Sequence, residues 1–115
     1  MKRDFDLCRD ILISVESGQE VSVSEGWKRD QVLYHMAILI EGGFLKGTAV
    51  DDVNGQLSMV SIQRLTWVGH EYLDGMRDNT VWKKAKETIL SKTTSWTFDL
   101  LKEVLAHSIK EQIGL

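Results

Sequence analysis

The stretch Ile38-Leu39-Ile40-Glu41-Gly42-Gly43-Phe44-Leu45, followed by Asp51-Asp52-Val53-Asn54-Gly55 and then Leu65-Thr66-Trp67-Val68-Gly69-His70-Glu71-Tyr72-Leu73, decides the fold class. It reads as the end of an apolar helix, a double-glycine stop, a hairpin and a new helix. Glycine enters the left-handed C-cap conformation without a Cβ penalty, so Gly42-Gly43 ends the first helix. Asn54-Gly55 is a strong hairpin signal, since both residues tolerate positive φ. Thr66 is the expected N-cap of the return helix, which reaches Met76. Helix, wing-like hairpin and return helix together predict an α+β chain with a winged-helix-like domain and extra C-terminal helices.

Working outward, the segment from about Lys28 to Glu41 is the helix that would occupy the recognition position. Val32, Met36 and Leu39 form one stripe, and Leu33, Ala37 and Ile40 the adjoining one. Tyr34 and Ile38 lie away from both. A helix apolar nearly all round is buried nearly all round. A DNA-reading helix needs Arg, Lys, Asn or Gln aimed at base edges. This one offers Lys28, Arg29, Gln31 and His35 in its first two turns. Lys46 and Arg64 sit at the base of the hairpin, whose loop is acidic. These six residues are the candidate DNA contacts. An ordinary helix-turn-helix places another helix directly before the reading helix, but only Gln19 to Trp27 is available here, bracketed by Gly18 and Gly26.

Toward the N-terminus, Asp4 or Asp6 can cap a first helix carrying Phe5, Cys8, Ile11, Leu12 and Val15 on one face and stopping at Gly18. Cys8 on that face reads as a small buried hydrophobe. Residues 19–26 alternate weakly, as a short strand or extended connection. Beyond the return helix, with Trp67, Tyr72, Leu73 and Met76 expected to pack inward, Asp78-Asn79-Thr80 breaks the chain. Thr80 is the expected cap of a helix from about Val81 to Leu90, with Lys83, Lys84, Lys86 and Lys92 mostly outward. A last helix from near Ser95 carries Phe98, Leu101, Val104, Leu105, Ile109 and Ile113 as a broad stripe. The expected organisation is a single domain over 1–115, a core over 1–78 and a helical extension over 79–115.

Composition excludes several classes. With 115 residues, 43% apolar and 27% charged, the chain has the make-up of one globular domain with a modest core. No run approaches the roughly 18 apolar residues of a membrane span, so no membrane partner is expected. The acids in Met1-Lys2-Arg3-Asp4-Phe5-Asp6 do not fit a signal peptide, and Cys8 is the only cysteine, so a cytoplasmic location is the expectation. The net charge is −3, and residues 26–70 carry four basic and four acidic side chains. A protein usually meets duplex DNA with a basic surface, so the neutral head weighs toward a mixed-charge surface. The basic segment is 80–92, at +3.

Catalytic chemistry is not legible. His35, His70 and His107 have no partners at metal-ligand spacing, and no glycine-rich loop precedes a helix in a phosphate-cradling arrangement. The chain is expected to be no enzyme and to use no cofactor.

Met1-Lys2-Arg3-Asp4 with Asp6-Leu7 and Ile11-Leu12, then Val32-Leu33-Tyr34-His35, Leu65-Thr66-Trp67, Gly69-His70-Glu71, Leu73-Asp74, Arg77-Asp78 and Thr80-Val81-Trp82 resemble the pattern of a family of small uncharacterised proteins from bacteria and their phages or prophages, classed as a domain of unknown function. The resemblance covers nearly the whole chain. It implies a winged-helix-like fold and a mobile-element setting, with no activity attached. Leu65-Thr66, Gly69 and Leu73 are also similar, more loosely, to the segment after the wing in bacterial winged-helix regulators.

Two functions stand open. The leading one is a non-enzymatic accessory protein that binds double-stranded DNA as a regulator, marked by a positive surface across Lys28, Arg29, Lys46 and Arg64. The alternative is a module that binds a host or phage protein, marked by an open apolar groove around Tyr34 and Ile38. A homodimer is a further expectation, with Tyr34, Ile38, Leu105, Ile109 and Ile113 as candidate interface residues.

Overall fold

The computed structural model describes residues 1–19, 26–92 and 103–104. Four helices and a two-stranded antiparallel sheet make it an α+β chain: α1 (Phe5–Glu16), α2 (Arg29–Glu41), β1 (Leu45–Asp51), β2 (Leu57–Leu65), α3 (Trp67–Met76) and α4 (Asn79–Lys92). The chain divides into two compact units, Met1–His70 and Glu71–Leu115.

In the first unit, α1 and α2 pack on each other and both pack on the hairpin. Asp4 begins α1: its carboxylate accepts from the backbone N–H groups of Asp6 (2.9 Å) and Leu7 (3.3 Å), two of the donors that a helix start leaves unpaired. Asp6 lies inside the first turn instead. Phe5, Leu7, Cys8, Ile11 and Leu12 are buried, while Val15 is only half-buried. The α1 stripe thus turns toward Leu7 at its start.

The double glycine divides two tasks. Gly42 is the C-cap with ordinary helical φ, and Gly43, at φ +85°, takes the left-handed position. Phe44 N–H donates to the Leu39 carbonyl (2.9 Å) and Gly43 N–H to the Ile40 carbonyl (3.0 Å), the paired bonds of a Schellman stop. Gly42 is required for space, since a Cβ there would come within 2.8 Å of the Phe44 ring.

The hairpin turn uses only one of the two residues that tolerate positive φ. Only Gly55 has positive φ; Asn54 does not. Gly55 N–H donates to the Asp52 carbonyl (3.0 Å), and the Asp52 carboxylate accepts from the N–H groups of Asn54 (2.8 Å) and Gln56 (3.0 Å). The aspartate thus builds a longer loop around itself and confines the left-handed residue to Gly55.

In the second unit, Leu73 and Met76 of α3 are buried, as are Val81, Trp82, Ala85 and Ile89 of α4. Asp78, not Thr80, caps α4: its carboxylate accepts from the N–H groups of Thr80 (2.8 Å) and Val81 (3.0 Å). Thr80 lies one residue inside the helix. Lys83 and Lys84 are exposed, and the Lys86 ammonium lies 5.7 Å from the Trp82 ring centroid. The expected last helix falls mostly outside the described residues, as do Lys102, Leu105, Ile109 and Ile113. Among the described residues no helix is long and apolar enough to cross a membrane.

Candidate interaction surface

The recognition-position helix is covered along its length. From Gln31 to Ile40 every residue is buried or half-buried; Lys28, Arg29 and Asp30 are exposed at one end and Glu41 at the other. Gln31 is engaged locally, its carboxamide oxygen accepting from Lys28 N–H at 2.9 Å. This is half of a capping box. The reciprocal half does not form, because an ammonium donates and cannot accept.

His35 is not a surface residue. It is 1% exposed, and both ring nitrogens bond within the chain. Asp4 N–H donates to Nε2 at 2.8 Å, and Nδ1 lies 2.7 Å from the Gln31 carbonyl. A backbone N–H can only donate and a carbonyl can only accept, so the ring is neutral with its proton on Nδ1. The imidazole ties the start of α1 to the middle of α2 and presents no edge to a base. The ring of Tyr34 meets it edge-on at 5.6 Å. Tyr34 and Ile38 are half-buried.

The hairpin is more open. Leu45 pairs with Leu65, Lys46 with Arg64, Gly47 with Ile62, Thr48 with Ser61, Ala49 with Val60 and Val50 with Met59. Paired residues share a face, and successive pairs alternate between faces. Leu45, Leu65, Gly47 and Ile62 are buried or half-buried; a Cβ on Gly47 would lie 3.0 Å from the Ile40 side chain of α2. The opposite face carries Lys46 and Arg64, then Thr48 and Ser61, then Val50 and Met59, all exposed. Like charges directly across two strands repel. Among the described residues neither Lys46 nor Arg64 has a carboxylate partner; one guanidinium nitrogen of Arg64 donates to the Leu65 carbonyl at 3.0 Å.

The structure therefore brings Lys46 and Arg64 side by side. Lys28 and Arg29 lie apart from them in the fold's plan, at the opposite end of a helix about 20 Å long from the end that leads into the hairpin. Both cationic pairs are exposed, but α2 holds them at its two ends.

The return helix is anchored by a compact device. Thr66 Oγ1 donates to the Gly43 carbonyl and accepts from Gly69 N–H at 3.0 Å, so it caps α3 as its position predicts. Thr66 N–H donates to the Phe44 carbonyl at 3.1 Å. A Cβ on Gly69 would collide with that same carbonyl. Thr66 and Gly69 thus face the corner after α2, and Trp67 and Val68 between them face away. Trp67 is 78% exposed, against the expectation that it packs inward.

Among the described residues, the exposed large apolar side chains are Met1, Val50, Val53, Met59, Trp67 and Val68. All but Met1 lie in the hairpin or the first turn after it. Cys8 is buried, and burial pushes its thiol up to about 12, with the Asp4 carboxylate adding to the rise and Arg3 opposing it. Among the described residues no group of His, Cys, Asp and Glu is arranged to hold a metal.

An uncharacterized protein of Haemophilus influenzae is 34% identical over 120 residues, covering 99% of this chain and 100% of that protein. No solved structure matches the chain. The model of the hypothetical-protein family DUF2513 matches residues 2–95, a span that takes in α1, α2, the hairpin, α3 and α4, and the chain belongs to that family.

Proposed function

We propose that this chain is a non-catalytic interaction module of winged-helix-like architecture, an accessory protein of a phage or prophage, whose hairpin docks a protein partner. The order of two packed helices, hairpin and return helix supports the architecture. The resemblance of the motif set to that of small phage and prophage proteins supports the setting. The docking reading rests on one observation: exposed apolar side chains concentrate at Val50, Val53, Met59, Trp67 and Val68. Single exposed apolar residues are ordinary, but several of them on the hairpin and the helical turn that follows it favour a contact surface.

Binding to duplex DNA is the second reading, and the uncompensated Lys46 and Arg64 favour it. Against it stand the buried His35, the engaged Gln31, the covered middle of α2 and the exposed Asp51 and Asp52 at the hairpin tip.

The test is purification of the tagged full chain from its native host, with protein and nucleic acid both identified. It is run beside a Val50→Ser/Met59→Ser variant checked for unchanged melting. A single protein retained by the wild type and lost by the variant is expected. Nucleic acid retained by both, and lost on Lys46→Gln/Arg64→Gln, would replace this reading with the second.

A further inference from the structure

We infer that the partner segment seated on the outer face of the hairpin is acidic and amphipathic, with a carboxylate held roughly 13 Å from an apolar anchor, an inference that rests on the protein-docking reading above. The outer face is graded from end to end. Lys46 and Arg64 form a cationic pair at the base, Thr48 and Ser61 a pair of hydroxyls in the middle, and Val50 and Met59 an apolar pair toward the tip. Four residue steps along β1 lead from the first pair to the last, a span of roughly 13 Å.

The cationic pair is the informative part. Two like charges in register weaken the hairpin in isolation. An incoming carboxylate removes the repulsion, accepting a forked pair of bonds from the guanidinium while the ammonium acts as a point charge. The apolar pair gains most from an aliphatic or aromatic side chain. Thr48 and Ser61 between them can donate to and accept from a passing backbone. A segment matching this face carries its acid and its anchor about four residues apart when extended, or about nine apart on one side of a helix.

A duplex matches it less well. Its charge is uniform along its length. A backbone laid along this face would leave the Lys46–Arg64 pair, cross two apolar side chains, and meet Asp51 and Asp52 at the tip.

The experiment is selection from a random peptide library on the full chain, followed by affinity measurement of synthesised winners by fluorescence anisotropy. The wild type is expected to enrich peptides with Asp or Glu at the stated spacing from a large apolar residue. Lys46→Glu/Arg64→Glu should weaken those peptides at least about tenfold and should itself enrich Lys- and Arg-bearing peptides. Lys46→Gln/Arg64→Gln should lose the acidic peptides without gaining basic ones, and far-ultraviolet circular dichroism should show all three proteins folded alike. Winners without acids, or acidic winners that bind the charge-reversed chain equally, overturn the inference and leave protein docking standing. A low-salt mobility shift of a DNA duplex that the charge reversal abolishes, with no peptide enriched, overturns both.

Discussion

Replacing His35 isolates the tie between α1 and α2. In His35→Leu the side chain keeps most of its bulk, so any cavity is small, but both ring bonds disappear. The Gln31 carbonyl is inside α2 and keeps its place in the helix ladder. The Asp4 N–H has no such alternative: it precedes the helix and points at Nε2, 2.8 Å away. The Asp4 N–H is part-buried, and leaving such a donor unpaired costs about 1–3 kcal/mol, while the lost Nδ1 bond to Gln31 contributes about 1 kcal/mol more. The expected loss is therefore about 2–4 kcal/mol. At about 4 °C per kcal/mol for a chain of this size, that is a fall in Tm of roughly 8–16 °C. His35→Ala adds a cavity and should cost about 2 kcal/mol beyond His35→Leu. Urea unfolding followed by circular dichroism measures both, with the denaturant slope expected to stay unchanged. Amide exchange supplies the local readout, in which the Asp4 amide should lose protection before the middle of α2 does. A His35→Leu midpoint equivalent to less than about 0.5 kcal/mol of change is the ordinary behaviour of a surface site and would refute the bridging role.

Other perturbations probe neighbouring parts of the fold. Gly69→Ala drives a methyl into the Phe44 carbonyl and should destabilise by about 2 kcal/mol or more, read as a lowered urea midpoint. Thr66→Val removes the cap of α3 and its bond to Gly43, and should cost about 1–2 kcal/mol in the same assay. Gly43→Ala forces a Cβ into φ +85° and should cost about 1–2 kcal/mol, whereas the same change at an exposed helical site would not. For Cys8 the folded thiol holds its proton to about 12, above the ordinary value of 9.0 that the unfolded chain retains. Above pH 9 the unfolded chain therefore binds fewer protons than the folded one, so stability present below pH 9 declines as pH rises toward 12, by about 1.4 kcal/mol per unit. Cys8→Ala should flatten that decline, and thiol reagents should label Cys8 only when the chain unfolds.

The elements themselves were legible. Gly42-Gly43 marks the end of α2, the apolar spacing of α1 and α4 gives their buried sides, and Thr66 caps α3 as read. What was not legible depends on partners distant in sequence. His35 looks polar and outward because its donor, the Asp4 N–H, is 31 residues away. Trp67 looks like core because an aromatic residue beside Leu73 and Met76 ordinarily is. Its exposure follows from Thr66 and Gly69 facing the α2 corner, a relation visible only once Gly43 and Phe44 are in place. That Lys46 and Arg64 share the base of the hairpin was legible, but their direct pairing was not, for a geometric reason. The register shifts between Lys46 and Gly47 and between Val50 and Asp51. Counted back from Asp51 and Leu57 without those shifts, Lys46 would face Ile62, and the cationic pair would not exist. Irregularities in a strand leave little trace in composition, so the candidate surface emerged from the fold more than from the sequence.

Photo-crosslinking from the hairpin tests the central claim most directly. Benzoylphenylalanine placed at Thr48 in the full chain, expressed in the native host and irradiated there, samples the outer face midway between the cationic and apolar pairs. The same group at Arg29 samples the start of α2. The account predicts one protein adduct of defined mass from position 48 and none from position 29. Adducts from position 29 alone, or nucleic acid crosslinked at position 48, would contradict it.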